Sequence, residues 1–140
     1  MNRKVFISFL FMAALAMFGL GSCQSNQGLV DTRNSRVSLD WGGVYTGTIP
    51  SASGSGIDVR LKLNQNQSFE LSYKYLGKSN KPFIWTGSFK WDDTGNIITL
   101  DIADVPPYYK VAENKLIQLD MNGKPISGEL ADNYVLKKER

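Results

Sequence analysis

The stretch Ile57-Asp58-Val59-Arg60-Leu61-Lys62-Leu63-Asn64-Gln65-Asn66-Gln67-Ser68-Phe69-Glu70-Leu71-Ser72-Tyr73-Lys74-Tyr75 decides the fold. Ile57, Val59, Leu61 and Leu63 alternate with polar residues, and so do Phe69, Leu71, Tyr73 and Tyr75. That is the period of strands with one buried face. A three-residue loop at Gln65, Asn66 and Gln67 sets Leu63 opposite Phe69 and Leu61 opposite Leu71. It also pairs Lys62 with Glu70 and Asp58 with Lys74. A slip of one residue would put Leu63 against Ser68 and turn every side chain to the wrong face, so the register is specified. Gln67 then takes the left-handed position where Gly is usual.

The same reasoning extends outward along the chain. Upstream, Trp41 opens the folded part and Val44 to Ile49 reads as a strand in which Gly47 marks a bend or a close backbone approach. Pro50 ends it, and a Ser/Gly loop runs to Gly56. Downstream, Phe83, Trp85, Gly87, Phe89 and Trp91 share one face. The turn Asp92-Asp93-Thr94-Gly95, with a positive φ expected at Gly95, sets Phe89 opposite Ile98 and Gly87 opposite Leu100. Tyr108 to Ala112 and Lys115 to Asp120 form a further hairpin about Glu113-Asn114, with an ambiguous inward face. Asn122-Gly123 is a strong hairpin signal, and Tyr134 to Leu136 supplies a closing strand. No stretch has helical periodicity. Seven to nine short strands point to an all-β fold, a small antiparallel barrel whose closure removes exposed edges.

The amino terminus is of another kind. Asn2, Arg3 and Lys4 precede an apolar run from Val5 to Leu20, too short for a comfortable membrane span and expected to be a secretory signal. Leu20-Gly21-Ser22-Cys23 resembles the lipobox of bacterial lipoproteins, in which the cysteine is acylated and becomes the first mature residue. Residues 1–22 are thus expected to be a signal peptide, 23–39 a flexible linker from the lipidated Cys23, and 40–140 the folded domain. Several acyl chains are needed for stable anchoring. Gln24, where an aspartate resembles an inner-membrane retention signal, favours the outer membrane, with the domain facing the periplasm or the cell surface.

Composition excludes more than it identifies. Without residues 1–22 the chain keeps 14 basic residues against 13 acidic ones, and no basic cluster with interleaved aromatics argues for nucleic acid. Cys23 is the only cysteine, which leaves the domain without a disulfide, and there is no histidine. A Ser-His-acid site cannot be built, and a serine/lysine pair cannot be assigned from spacing. Asp92-Asp93 reads as solvated turn residues, and Asp101 and Asp104 lack the spacing of a calcium loop. The expectation is a protein without catalytic residues, metal or cofactor. Trp41, Tyr45, Tyr73, Tyr75, Trp85, Phe89 and Trp91 are expected for the most part to pack the barrel; the alternative is that they line a ligand cavity, with Trp41, Tyr45 and Trp85 contacting a ligand or partner.

Four groups of residues taken in order resemble a known family, the amino-terminal domain of the copper resistance lipoprotein NlpE and its relatives. They are Asp40-Trp41-x-Gly43-x-Tyr45-x-Gly47-x-x-Pro50 with Gly56-Ile57; Tyr75-Leu76-Gly77-Lys78 with Lys81-Pro82-Phe83; Gly95-Asn96-Ile97-Ile98-Thr99-Leu100; and Leu119-Asp120-Met121-x-Gly123-Lys124. The resemblance implies a lipocalin-like β-barrel, lipid-anchored in the outer membrane and linked to copper tolerance and envelope-stress sensing through an envelope protein partner. It also implies a Cys-x-x-Cys pair directly after the proline, yet those positions here are Ser51 and Gly54. Copper needs soft or imidazole ligands, so tight copper binding by the folded domain is not expected. Relatives with a second domain carry further cysteines there, and a single folded domain is expected here. Two other readings stand beside the interaction module: a lipocalin-like carrier of a small apolar ligand, and an inhibitor of a cell-wall hydrolase.

Overall fold

The structure, a computed structural model, describes residues 34–52 and 54–140. The expected signal peptide, Cys23 and most of the expected linker lie outside the described residues. Among the described residues eight antiparallel strands close into a barrel in sequence order. They are β1 (Gly43–Ile49), β2 (Ile57–Leu63), β3 (Ser68–Tyr75), β4 (Phe83–Trp91), β5 (Ile97–Leu100), β6 (Tyr108–Ala112), β7 (Lys115–Gln118) and β8 (Val135–Lys138).

The β2–β3 hairpin has the expected register, with Leu63 opposite Phe69, Leu61 opposite Leu71, Lys62 opposite Glu70 and Asp58 opposite Lys74. Gln67 has φ of 64°, and its N–H donates to the Asn64 carbonyl at 3.0 Å to close the three-residue loop. The apolar residues of β2 are all buried and its polar ones all exposed. Period-two patterning therefore fixes which face of each strand enters the core.

The β4–β5 register differs from expectation by two residues. Phe89 faces Leu100 and Trp91 faces Ile98. The cause lies in the turn, where the Asp92 N–H donates to the Ile97 carbonyl at 2.8 Å. The Asp92 carboxylate also accepts the N–H groups of Asn96 and Ile97, each at 3.0 Å, so the loop begins one residue later than its composition suggests. A two-residue shift keeps parity, which is why Phe89, Ile98 and Leu100 remain buried. The space above Gly87 is filled not by Leu100 but by the Phe69 ring, 3.1 Å from where a Cβ would stand.

Burial would raise the Asp92 pKa, but the Thr94 hydroxyl and the N–H groups of Ile97, Asn96 and Gly95 together lower it below its ordinary 3.8. A carboxyl that holds its proton less tightly when folded contributes stability above the unfolded pKa and loses it as pH falls through the lower folded one. Asp92→Asn is accordingly expected to destabilise the barrel at pH 7 by about 1 kcal/mol, and by less at pH 3, in urea melts at the two values. An equal cost at both would show that the charge is irrelevant to the turn.

Three further differences are physical. Asn122-Gly123 does make a turn, with Gly123 at φ of 77°, but only the single bridge Leu119–Pro125 follows it. The Asp120 carboxylate accepts the N–H groups of Asn122 and Lys124 and holds this turn together with the backbone bonds from Asp120 N–H to the Lys124 carbonyl and from Gly123 N–H to the Asp120 carbonyl. β7 stops at Gln118 rather than Asp120. Residues 34–39, assigned by composition to the linker, form a docked helical turn, α1 (Ser35–Ser38), capped by the Asn34 side chain on the Val37 N–H. The buried Ser35 hydroxyl donates to the Val111 carbonyl at 2.6 Å, its N–H donates to Asn96 Oδ1 at 2.9 Å, and the Arg36 N–H donates to the Gly95 carbonyl at 2.9 Å. This segment stoppers the barrel end formed by the β2–β3, β4–β5 and β6–β7 turns. Behind it Trp41 packs edge-on against Phe89 and Trp91, with centroids at 5.8 and 5.4 Å.

Candidate functional site: the end of the barrel remote from the amino terminus

Opposite the stopper lie the β1–β2, β3–β4, β5–β6 and β7–β8 connections. Four of the five large apolar side chains exposed among the described residues sit there: Phe83, Ile84, Met121 and Leu130. Phe83 and Ile84, at 56% and 59% exposure, open β4. Alternation places Phe83 inside, but β4 outruns its neighbour. Only Phe89 to Trp91 pair with β5, and the last link is the Asp101 N–H donating to the Ser88 carbonyl at 2.9 Å. Above Ser88 no strand among the described residues lies across from β4, which leaves the Phe83 ring exposed on that side.

An aromatic ladder continues inward from this exposed pair. Phe83 stacks on Trp85 at 6.3 Å and meets Tyr75 edge-on at 5.8 Å, while Trp85 meets Tyr73 edge-on at 5.5 Å. Of the three aromatics named for contact with a ligand or partner, only Trp85 reaches this rim, half-buried. Tyr45 is fully buried, and its hydroxyl donates to the Trp41 carbonyl at 2.7 Å. Burial, with Asp40 adding to it, pushes that phenol up to about 12. Trp41 is the plate beneath the stopper, and its indole N–H donates to the Arg36 carbonyl at 3.1 Å. Both belong to the packed interior and are removed from the surface as contact residues. The sequence signal for the true surface pair is the run Phe83-Ile84-Trp85, where apolar residues occupy consecutive positions and so both faces of the strand.

Under the ladder the interior is not wholly apolar. The Tyr73 and Tyr109 hydroxyls are neighbours, and burial raises both phenols, Tyr73 to about 12. The two hydroxyls act on each other as a side-chain pair, but neither meets good hydrogen-bond geometry, and Gln118 Oε1 on the strand beside Tyr109 has no partner among the described residues. A buried hydroxyl so poorly paired recovers little of its desolvation cost. Tyr109→Phe is therefore expected to leave stability unchanged or raise it by up to about 1 kcal/mol in thermal melts, whereas Tyr45→Phe loses about 1 kcal/mol. A clear loss for Tyr109→Phe would mean that its hydroxyl is paired in solution.

The other predicted positions are spread around the molecule. A Cβ on Gly54 would lie 3.9 Å from Ser51 Oγ, so the fold brings together the two positions where the resemblance implies a cysteine pair. Both line a hollow of about 270 Å³ in which the hydroxyls of Thr48 and Ser55 and the Asn133 amide mix with apolar Ile49 and Pro50, without a thiol or imidazole. Asp92 is held in its turn, while Asp93, Asp101 and Asp104 are exposed. Among the described residues no group of three or more His, Cys, Asp or Glu side chains is disposed to hold a metal ion. None of the described helices is long and apolar enough to cross a membrane.

Comparison with known proteins gives a consistent picture. The family model described as the NlpE N-terminal domain matches residues 45–129. Lipoprotein NlpE of Escherichia coli (strain K12) is 27% identical over 130 residues, 90% of this chain and 54% of that protein, so the chain spans about half the length of this curated relative. A lipoprotein of Shewanella oneidensis with a crystal structure at 1.42 Å is 44% identical, with a TM-score of 0.69 over 76% of this chain and 96% of that one. The crystal structure of the Cpx pathway activator NlpE from Escherichia coli shares the fold, with a TM-score of 0.50 at 23% identity over 62% of this chain and 46% of that one.

Proposed function

We propose, from the premise that this chain belongs to the NlpE N-terminal domain family, that it is a non-enzymatic interaction module of the bacterial envelope. In this reading Cys23 is acylated, the anchor lies in the outer membrane, and the barrel faces the periplasm, where it contacts an envelope protein and reports stress. One relative supports it: NlpE of Escherichia coli is called both a lipoprotein and a Cpx pathway activator. The family and the barrel both point to a protein without catalysis.

One observation carries the reading. The chain enters the barrel through the stopper at Asn34 to Leu39, and four of the five exposed large apolar side chains among the described residues stand at the opposite end, the fifth being Val37 of the stopper. Ten residues separate Cys23 from Asn34, and the eleven steps between them reach at most about 36–40 Å. In this reading a lipid on Cys23 makes the stoppered end the tethered one and leaves Phe83 and Ile84 at the free end. The interior is filled by Tyr45, Phe89, Tyr109 and the aliphatic residues around them, which favours a contact surface over a carried ligand. With no histidine, and with Ser51 and Gly54 in place of a cysteine pair, any part in copper tolerance is indirect.

The test is to produce the full chain and its Cys23→Ala variant in a bacterial strain carrying an envelope-stress transcriptional reporter. Palmitate labelling and membrane fractionation are followed alongside. The wild-type chain is expected to take the label, fractionate with the outer membrane and raise the reporter, and the variant to do none of these. A reporter unmoved by the labelled, membrane-bound chain would end the sensor reading, and an unlabelled wild-type chain would end the anchor.

A further inference from the structure

The upper half of β4 is an open strand edge within an otherwise closed barrel. In β3–β4 pairing the Phe89 N–H bonds the Gln67 carbonyl at 2.9 Å, so the odd residues of β4 turn their backbone groups toward β3. Ile84, Thr86 and Ser88 turn theirs the other way. Ser88 is satisfied by Asp101, but β5 ends at Leu100, and Ile84 and Thr86 face outward with no described strand beside them. Exposed edges of this kind are normally covered, twisted away or blocked by charge. Here the two residues are an exposed isoleucine and an exposed threonine, β-branched types that suit pairing with a further strand.

Charge selects the partner. Between Ile57 and Trp91 six basic residues stand against two acidic ones, and Arg60 and Glu70 neutralise each other at 3.4 Å. Residues 92–133 carry three basic residues against eight acidic ones. The barrel thus has a basic wall, β2 to β4, whereas the acids of residues 92–133 all stand in the connections between strands and none in β5, β6 or β7, and the open edge is the border of the basic wall. Exposed Lys74 and Lys81 flank its head, while Asp101 closes its foot. We propose that the edge from Phe83 to Gly87 is a strand-addition site for an extended, acidic segment of an envelope protein. The segment's backbone bonds Ile84 and Thr86, its apolar side chains cover Phe83 on the inner face, and on the outer face, which Ile84 shares with Lys74, its acids lie toward Lys74 and Lys81. This rests on the interaction-module reading and gives that contact a site and a chemistry.

The test uses the full ¹⁵N-labelled chain in detergent micelles, with two synthetic decapeptides as probes, one alternating Val and Glu and the other Val and Lys. Amide exchange is read by NMR, and the Val/Glu peptide is expected to slow the Ile84 and Thr86 amides more than about tenfold while the Val/Lys peptide does not. Lys74→Glu with Lys81→Glu, both surface changes, is expected to abolish that protection, and Thr86→Pro to do so by deleting a donor. The proposal is overturned if neither peptide protects these amides or if both do equally. It is also overturned if protection grows with chain concentration alone, which makes a second copy the occupant, or appears only with anionic lipid vesicles, which makes it a membrane surface. A silent stress reporter would leave the exchange result standing, so the two readings fail separately.

Discussion

Phe89→Ala is expected to lower stability by about 3–5 kcal/mol and Tm by roughly 15–25 °C, enough to leave much of the chain unfolded at 37 °C. Phe89 is 1% exposed and fully enclosed in the core. Its backbone belongs to two seams at once, since its N–H bonds Gln67 on one side and its pair across β5 is Leu100 on the other. Its ring meets Trp41 and Trp91 edge-on at 5.8 and 6.4 Å, which joins the stopper to the wall. Truncation removes the aromatic area and leaves a cavity that the strands cannot collapse into without giving up the β4–β5 pairing, which is only three residues long. Against a total of about 5–15 kcal/mol such a loss is a large share. Urea unfolding followed by tryptophan emission measures it directly. A cost under about 1 kcal/mol would show that the stopper and wall are held together elsewhere.

The same residue shows what could be read from the chain and what could not. That Phe89 points inward follows from alternation alone, and so do the faces of β2 and β3, their register and the left-handed Gln67. These are set by neighbours no more than a hairpin away. The partner of Phe89 did not follow, because the β4–β5 loop is held by the Asp92 carboxylate and by Ser35, which reaches Asn96 from 61 residues upstream. A docked helical turn made of Ser-Arg-Val-Ser looks like a tether, since its fit depends on one buried serine hydroxyl rather than on an apolar stripe. The candidate site was partly legible for a related reason. Phe83 reads as interior by its parity, but its exposure is set by how far β5 extends, and that length is decided beyond Leu100 by the loop through Pro106 and Pro107. Trp41 and Tyr45 stood out as large aromatics near the start of the fold, and size alone does not distinguish a core plate from a contact surface.

Gly47→Val is expected to open the barrel, at a cost of about 3 kcal/mol, with aggregation following. β8 closes on β1 through only two residue pairs, Tyr45–Lys138 and Thr46–Lys137, and Gly47 is the next residue along that seam. A Cβ there would stand 2.7 Å from the Val135 carbonyl oxygen and 3.1 Å from Leu136 Cδ2. The first of these neighbours is backbone and cannot rotate aside, so β8 must retreat. Retreat weakens the Glu139 N–H bond to the Val44 carbonyl, 2.8 Å long, and exposes two strand edges in place of one closed wall. Gly54→Ala is the matched control, because its nearest neighbour would be an ordinary 3.5 Å away. It is expected to change stability by less than about 0.5 kcal/mol. Urea melts of the two variants, with amide exchange at Lys137 and Lys138, distinguish a seam that depends on close approach from one that merely tolerates it. Equal stability of the two variants, with the Lys137 and Lys138 amides still protected in both, would mean that β8 has room to move and that closure rests on the hairpins instead.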